Sequence, residues 1–207
     1  MPVIFDCEKK QIAKNPKEVN DFTKAYIGPL FKDAFKTLAH IEHVYTSFPD
    51  GKINFQSLEI GGQTKEQLEQ ALERAGIKIS DYARSMMKGK DFTTAKRKEQ
   101  NDLVRLTVDA LFNDGRNHTT DEIYQKAKDF GLELCPAEVG PHLRLNYQDQ
   151  PLGEWVYVAM KQITGSDGRP FIFCVGRPEV GSWLYGSWAE PGGEWPPRYE
   201  FVFRLRK

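Results

Sequence analysis

Strand-like runs alternate with turn-forming residues in the C-terminal part of the chain. Aromatic and β-branched residues are concentrated in five runs, at residues 143–147, 155–163, 171–176, 183–188 and 199–205. Gly, Pro and Asp lie between the runs, and the Gly-Ser-Asp-Gly sequence at 165–168 is a strong turn signal. This pattern predicts a hairpin within an antiparallel meander of four or five strands.

The N-terminal part has a helical pattern instead. The first 47 residues predict a helical hairpin, because Asn15-Pro16 is a good helix start, Gly28-Pro29 interrupts the segment, and apolar residues recur at spacings of three and four. Residues 53–60 favour a strand. The sequence therefore predicts an α+β fold, with most helices towards the N-terminus.

Two segments, 64–79 and 119–134, share one pattern at an offset of 55 residues. Each has a threonine in the capping position, an acidic residue two positions later, and a glycine followed by an apolar-x-apolar pair. Threonine satisfies free amides at the start of a helix and glycine allows a left-handed end. Common helix capping explains this similarity better than duplication does, and Ser80 is expected to cap a further short helix.

Residues 88–101 are polar, aperiodic and locally basic, which predicts an exposed linker. We place the main boundary there, between a mainly helical region at 1–95 and an α+β region at 102–207 that ends in an antiparallel sheet. Whether the two regions share a core is left open by the sequence.

Charge and cysteine content exclude several classes of protein. The 29 basic and 29 acidic side chains cancel, so a nucleic-acid partner must use a local patch. The first residues lack the apolar stretch of a signal peptide, and we expect a cytoplasmic protein without a membrane partner. Cys7, Cys135 and Cys174 form no CxxC pair, which favours reduced thiols. Nucleotide and metalloprotease motifs are absent, and no cofactor is predicted.

One cluster places a thiol, a carboxylate and an imidazole close together in sequence, at Cys135, Glu138 and His142. A cysteine nucleophile needs a base that forms the thiolate, and an acid can orient that base. A buried structural cysteine is the favoured alternative, because catalytic Cys and His are usually distant in sequence. His40 and His43 supply only two metal ligands, so no metal site is predicted.

All four tryptophans lie after residue 154, and a small sheet has limited room inside. Surface Trp and Tyr side chains are frequent hot spots for binding. The predicted binding residues are Trp183, Tyr185, Trp188 and Trp195. Trp188 and Trp195 flank the polar loop 189–194 and are expected on an exposed edge, whereas the alternating residues Phe171, Phe173, Phe201 and Phe203 are expected in the core.

Three stretches carry a resemblance: GLELCPAEVGPHLRLNY at 131–147, QPLGEWVYVAMKQI at 150–163 and FVFRLRK at 201–207. Here the chain resembles C-terminal regions of uncharacterised bacterial proteins of unknown function. The resemblance implies a bacterial origin and a self-contained module, and it implies no activity.

Three hypotheses follow. The favoured one is a non-enzymatic binding protein that uses the aromatic-rich C-terminal sheet, with another protein or a polymeric ligand as partner. The first alternative is a nucleic-acid-binding protein, using the basic residues of segment 88–98 and 204–207. The cations of the first segment are Lys88, Lys90, Lys96, Arg97 and Lys98. The second alternative is a hydrolase or transferase that depends on Cys135 and His142.

Overall fold

The structure is a computed structural model, and it describes residues 5–6, 11–12 and 54–205. The strands are β1 Phe5–Asp6, β2 Gln11–Ile12, β3 Asn54–Ile60, β4 Lys78–Ile79, β5 Glu99–Thr107, β6 His118–Thr119, β7 Leu132–Glu133, β8 Trp155–Val158, β9 Ile163–Thr164, β10 Pro170–Gly176, β11 Trp183–Trp188, β12 Glu194–Trp195 and β13 Glu200–Leu205. The helices are α1 Lys65–Arg74, α2 Asp81–Lys88, α3 Val108–Phe112, α4 Thr120–Asp129 and α5 Val139–Asn146. Most of the helical hairpin predicted for the first 47 residues, with His40 and His43, lies outside the described residues, as does Cys7. The two parts of it that are described, β1 and β2, form an antiparallel pair of strands instead.

Nine strands form one mixed sheet in the order β3-β5-β13-β8-β10-β11-β4, with β7 beside β13 and β9 beside β10. The β13–β8 and β11–β4 pairs are parallel, and the other pairs in this sheet are antiparallel. The fold is therefore α+β. It differs from the predicted C-terminal antiparallel meander, because the sheet is mixed and includes β3 and β4 from the N-terminal region.

Local capping determines where three helices begin, as the sequence predicts. Thr64 and Thr119 each accept a hydrogen bond from the third backbone amide of their helix, and the residue at that position bonds back to the cap. Ser80 Oγ likewise accepts from Ala83 N at the start of α2. These bonds satisfy amides that a helix leaves free at its first turn.

Residues 143–147, predicted as a strand, belong to α5 and its C-terminal cap. Pro141 lies in the first turn of this helix, where its missing N–H removes no intrahelical hydrogen bond. The helix also buries Arg144, which is 0% exposed and donates to Gln150 Oε1 and to Tyr147 O. The alternation of apolar and polar residues at 143–147 predicts a strand with Arg144 facing solvent. The segment is helical and Arg144 is buried, so the prediction of a strand is wrong here.

Helices cover one face of the sheet at β10 and β11. Gly140 of α5 lies against Phe173, and Gly186 of β11 lies against Ala83 and Met86 of α2. The four phenylalanines predicted in the core, Phe171, Phe173, Phe201 and Phe203, are all buried. In the described chain, β3 of the N-terminal region and β5 pair over seven residues. The main sheet therefore continues across the boundary that the sequence predicts between residues 95 and 102.

The Gly140–Phe173 contact generates a stability prediction. A Cβ atom at Gly140 would lie 2.6 Å from Phe173 Cβ, and Phe173 is fully buried. Gly140→Ala gains roughly 1 kcal/mol of helix propensity, whereas overpacking costs about 1–3 kcal/mol. We expect overpacking to dominate and the free energy of unfolding to fall by about 1–2 kcal/mol in urea titrations.

Gly192→Ala is the matched control, because a Cβ atom at Gly192 would meet nothing within 4 Å and the residue has no left-handed φ. Its free energy of unfolding should change by less than about 0.5 kcal/mol. Equal stability of the two variants would contradict the close packing of α5 on β10.

Candidate functional site

The register of β8, β10 and β11 places three aromatic residues around one glycine. Gly176 of β10 lies opposite Trp155 of β8 on one side and opposite Trp183 of β11 on the other. Tyr185 follows Trp183 by two residues and therefore points to the same face of the sheet. We call Trp155, Trp183 and Tyr185 the aromatic surface.

Trp155 lies flat over Gly176. A Cβ atom at Gly176 would be 2.6 Å from Cε3 and Cζ3 of Trp155 and 3.0 Å from Cδ2, so it would stand above the six-membered ring. One face of the indole thus covers backbone, and the side chain remains partly open, at 37% exposure for the residue. The absence of a side chain at 176 makes this arrangement possible.

The other two rings extend the surface along β11. Tyr185 lies 4.9 Å from Trp155 and 4.9 Å from Trp183 between ring centroids, and the Trp183 and Tyr185 rings are stacked with an interplanar angle of 18°. Both residues are half-buried. Gly186, the next residue, faces α2 on the opposite side of the sheet, so the helix layer does not cover the aromatic surface.

Polar groups accompany the rings. Trp183 Nε1 is buried and has no hydrogen-bond acceptor among the residues that the structure describes. Burial raises the pKa of Tyr185, and its phenol, which is protonated at neutral pH even at its ordinary pKa, can donate a hydrogen bond. Lys78 is brought beside Trp183 by the parallel β4–β11 pair, with Nζ 5.4 Å from the indole centroid.

The charged residues next in sequence to Trp155 and Gly176 form bonds away from the aromatic surface. Glu154, next to Trp155 in sequence, accepts a hydrogen bond from Arg105 Nη2 at 2.5 Å. Arg177, next to Gly176, donates to the backbone oxygen of Gln150 at 2.7 Å. Lys78 is thus the cation that contacts these rings within residues 54–205. The surface has aromatic faces and hydrogen-bond donors without a cluster of one charge sign.

Among the four predicted binding residues, the structure brings Trp183 and Tyr185 together and separates the other two. Trp188 is 51% exposed, at the far end of β11, with the Arg169 guanidinium 5.1 Å from its ring centroid. It lies opposite Phe171, on the helix-covered face of the sheet. Trp155 is not among the predicted binding residues, because its closeness to Trp183 and Tyr185 depends on how the strands pair across Gly176, and the sequence of one strand does not reveal that pairing.

Trp195 was predicted to be exposed, and this is wrong, since it is only 5% exposed. Its ring centroid lies 4.9 Å from that of Tyr157 and 5.0 Å from that of Phe201, and its Nε1 donates to Thr120 Oγ1 at 2.8 Å. The physical reason is the start of α4, where Thr120 N donates to Gly193 O and Thr120 Oγ1 donates to Glu190 O. These bonds hold the polar loop against the body of the protein and carry Trp195 into the core.

The cysteine cluster does not form a nucleophile–base pair. Cys135 Sγ donates to Val202 O at 3.5 Å, and burial raises its pKa to about 12, so the thiolate is disfavoured near neutral pH. Glu138 Oε1 accepts from Ala95 N at 2.8 Å, and Gly61 N donates to His142 Nε2 at 3.3 Å. Glu138 and His142 thus each bind the backbone of another segment of the chain, at Ala95 and at Gly61. Glu138 Oε2 lies 3.7 Å from His142 Nε2.

The predicted basic segment begins at Lys88, the last residue of α2, and continues as an exposed loop that is anchored at its base. Its five cations, Lys88, Lys90, Lys96, Arg97 and Lys98, are all exposed. Phe92 is fully buried, and Ala95 both accepts from Gly62 N and donates to Glu138. Lys98 forms an ion pair with Glu59 at 2.7 Å. The loop is therefore held in place while its cations face solvent.

Comparisons with known proteins give no family for this chain. No family model, no curated protein and no solved structure matches it. In the described part of the chain, no group of three or more His, Cys, Asp or Glu side chains is arranged to hold a metal ion. No helix among the same residues is long and apolar enough to span a bilayer.

The contrast between Trp195 and Trp188 predicts opposite effects of truncation. Trp195→Ala removes a buried ring and its hydrogen bond to Thr120, so we expect a loss of about 3–5 kcal/mol in the free energy of unfolding. Trp188→Ala, the matched control, should cost less than about 1 kcal/mol because the ring is half open to solvent. Chemical denaturation measures both values, and a small loss for Trp195→Ala would contradict its place in the core.

Proposed function

We propose that this protein is a binding module whose ligand site is the aromatic surface of Trp155, Trp183 and Tyr185. The observation that carries the proposal is the flat, partly exposed Trp155 indole over Gly176, joined through Tyr185 to Trp183. Contiguous exposed apolar surface frequently marks an interaction site, and Trp and Tyr dominate binding hot spots.

Two further features support a binding role for this face. The rings are supported by paired strands of the main sheet, so little side-chain freedom is lost when a ligand binds. The half-buried Tyr185, beside Trp155, provides a phenol donor for a ligand that supplies an acceptor. A catalytic role for Cys135 receives no such support, because its thiol is buried and directed at Val202 O.

Indole NMR tests the proposal. The full chain, labelled with ¹⁵N, has four indole N–H resonances, which Trp→Phe variants assign one by one. It is titrated separately with three probes: cellohexaose, a thymidine dodecanucleotide and a proline decapeptide. We expect at least one probe to shift the Trp155 and Trp183 resonances and to leave that of buried Trp195 in place.

Trp188 is the internal control, because it is exposed but lies on the other face of the sheet. Each probe is added to about 5 mM, which is enough to detect binding with a dissociation constant of about 1 mM. If the Trp155 and Trp183 resonances do not shift with any of the three probes, the proposed site is overturned. A shift confined to Trp188 would also overturn it.

A second candidate function, nucleic-acid binding by the basic loop, is favoured by the exposure of all five cations on a loop anchored by Phe92. Phosphate contacts release counterions, with a slope of about −0.7 per contact for single strands. Five contacts predict that affinity for a fluorescent thymidine 20-mer falls roughly 100-fold between about 50 and 200 mM salt in anisotropy titrations.

The variant Lys96→Glu/Arg97→Glu should abolish this binding. Lys128→Glu/Lys161→Glu makes the same change in net charge at two exposed sites elsewhere and is the matched control. Equal losses in the two double variants, or affinity insensitive to salt, would rule out the basic loop as a phosphate-binding site.

A further inference from the structure

We infer that the ligand of the aromatic surface is a neutral glycan, whose pyranose ring stacks on Trp155. This inference rests on the proposed function and names the chemical class of its ligand. Three observations lead to it: the orientation of the Trp155 ring, the phenol donor of Tyr185 beside it, and the few charges that contact these rings.

The orientation of Trp155 favours a flat ligand. One face of its six-membered ring covers Gly176, so the opposite face is the one presented to solvent. A pyranose whose substituents are all equatorial has a face of axial C–H bonds, which packs on an indole as an apolar surface. β-1,4-Linked glucose and N-acetylglucosamine units have this form.

A phenol beside the rings favours a ligand that carries hydrogen-bond acceptors. Tyr185 is half-buried, its ring centroid lies 4.9 Å from that of Trp155, and its phenol can donate a hydrogen bond at neutral pH. The hydroxyl oxygens of a sugar accept such a bond while its C–H face remains on Trp155, whereas aliphatic side chains offer the phenol no acceptor.

The border charges favour a neutral ligand over a nucleic acid. Single-stranded nucleic acids also stack on aromatic rings, but their binding grooves are positively charged along the backbone. Here Lys78 is the cation of residues 54–205 that contacts these rings, while Arg177, next in sequence to Gly176, is bonded to Gln150 O. The described border therefore has no row of cations to meet successive phosphates.

Isothermal titration calorimetry of the full chain with cellohexaose, chitohexaose and xylohexaose tests the inference. We expect at least one to bind, with an affinity that changes less than about twofold between about 50 and 500 mM salt, since no phosphate charge is involved. Trp155→Ala should weaken binding more than about tenfold. Trp155→Phe, which keeps a smaller ring face, should lose less, and Trp188→Ala should stay within about twofold.

The outcomes separate this inference from the proposed function. If the oligosaccharides give neither heat nor indole shifts but the thymidine dodecanucleotide or the decaproline peptide shifts Trp155 and Trp183, the surface is a binding site and the glycan assignment is overturned. If no probe shifts these resonances, both fail. Protection of both indoles from a soluble paramagnet such as TEMPOL would show that another part of the chain, or a second copy, covers the surface, and this too would overturn the inference.

Discussion

The pairing of β13 with strands on both of its sides holds the main sheet together. β13 is antiparallel to β5 from Glu200 to Arg204 and parallel to β8 from Glu200 to Val202. The β5–β13 pair joins segments about a hundred positions apart in sequence, so its formation closes a long loop. The conformational entropy lost in closing that loop must be compensated by burial of apolar side chains. Phe201, Val202 and Phe203 provide this burial, since all three lie in the core.

The position of the candidate site depends on the same pairing. β8 lies between β13 and β10, and its register with β10 is what sets Trp155 opposite Gly176. A shift of one residue would turn Trp155 towards the helix layer, because side chains alternate between faces along a strand. The aromatic surface is thus a property of three strands in register, although its three rings occupy only two of them.

Local features were predictable from the sequence and tertiary ones were not. The caps Thr64, Ser80 and Thr119 were found because a cap and its partner amides are at most three residues apart. Burial of Arg144 could not be found, since its acceptor Gln150 Oε1 becomes available only when the loop after α5 folds back. The error at Trp195 has a similar origin: Thr120 captures the 190–193 loop from about seventy positions away. Two residues of the proposed site, Trp183 and Tyr185, were predicted from the sequence, while the inclusion of Trp155 required knowledge of the register.

The contact between Gly176 and Trp155 restricts which residues can occupy positions 155 and 176 in related sequences. Any side chain at this position would enter the space of the Trp155 indole, since even a Cβ atom comes within 2.6 Å of it. Substitution at 176 therefore removes the stacking face even where the tryptophan is retained, and a chain that lost Trp155 would be free to accept larger residues at 176. Positions 155 and 176 should consequently covary among descendants of a common ancestor, and a small residue at 176 would be a better marker of a retained site than the tryptophan alone.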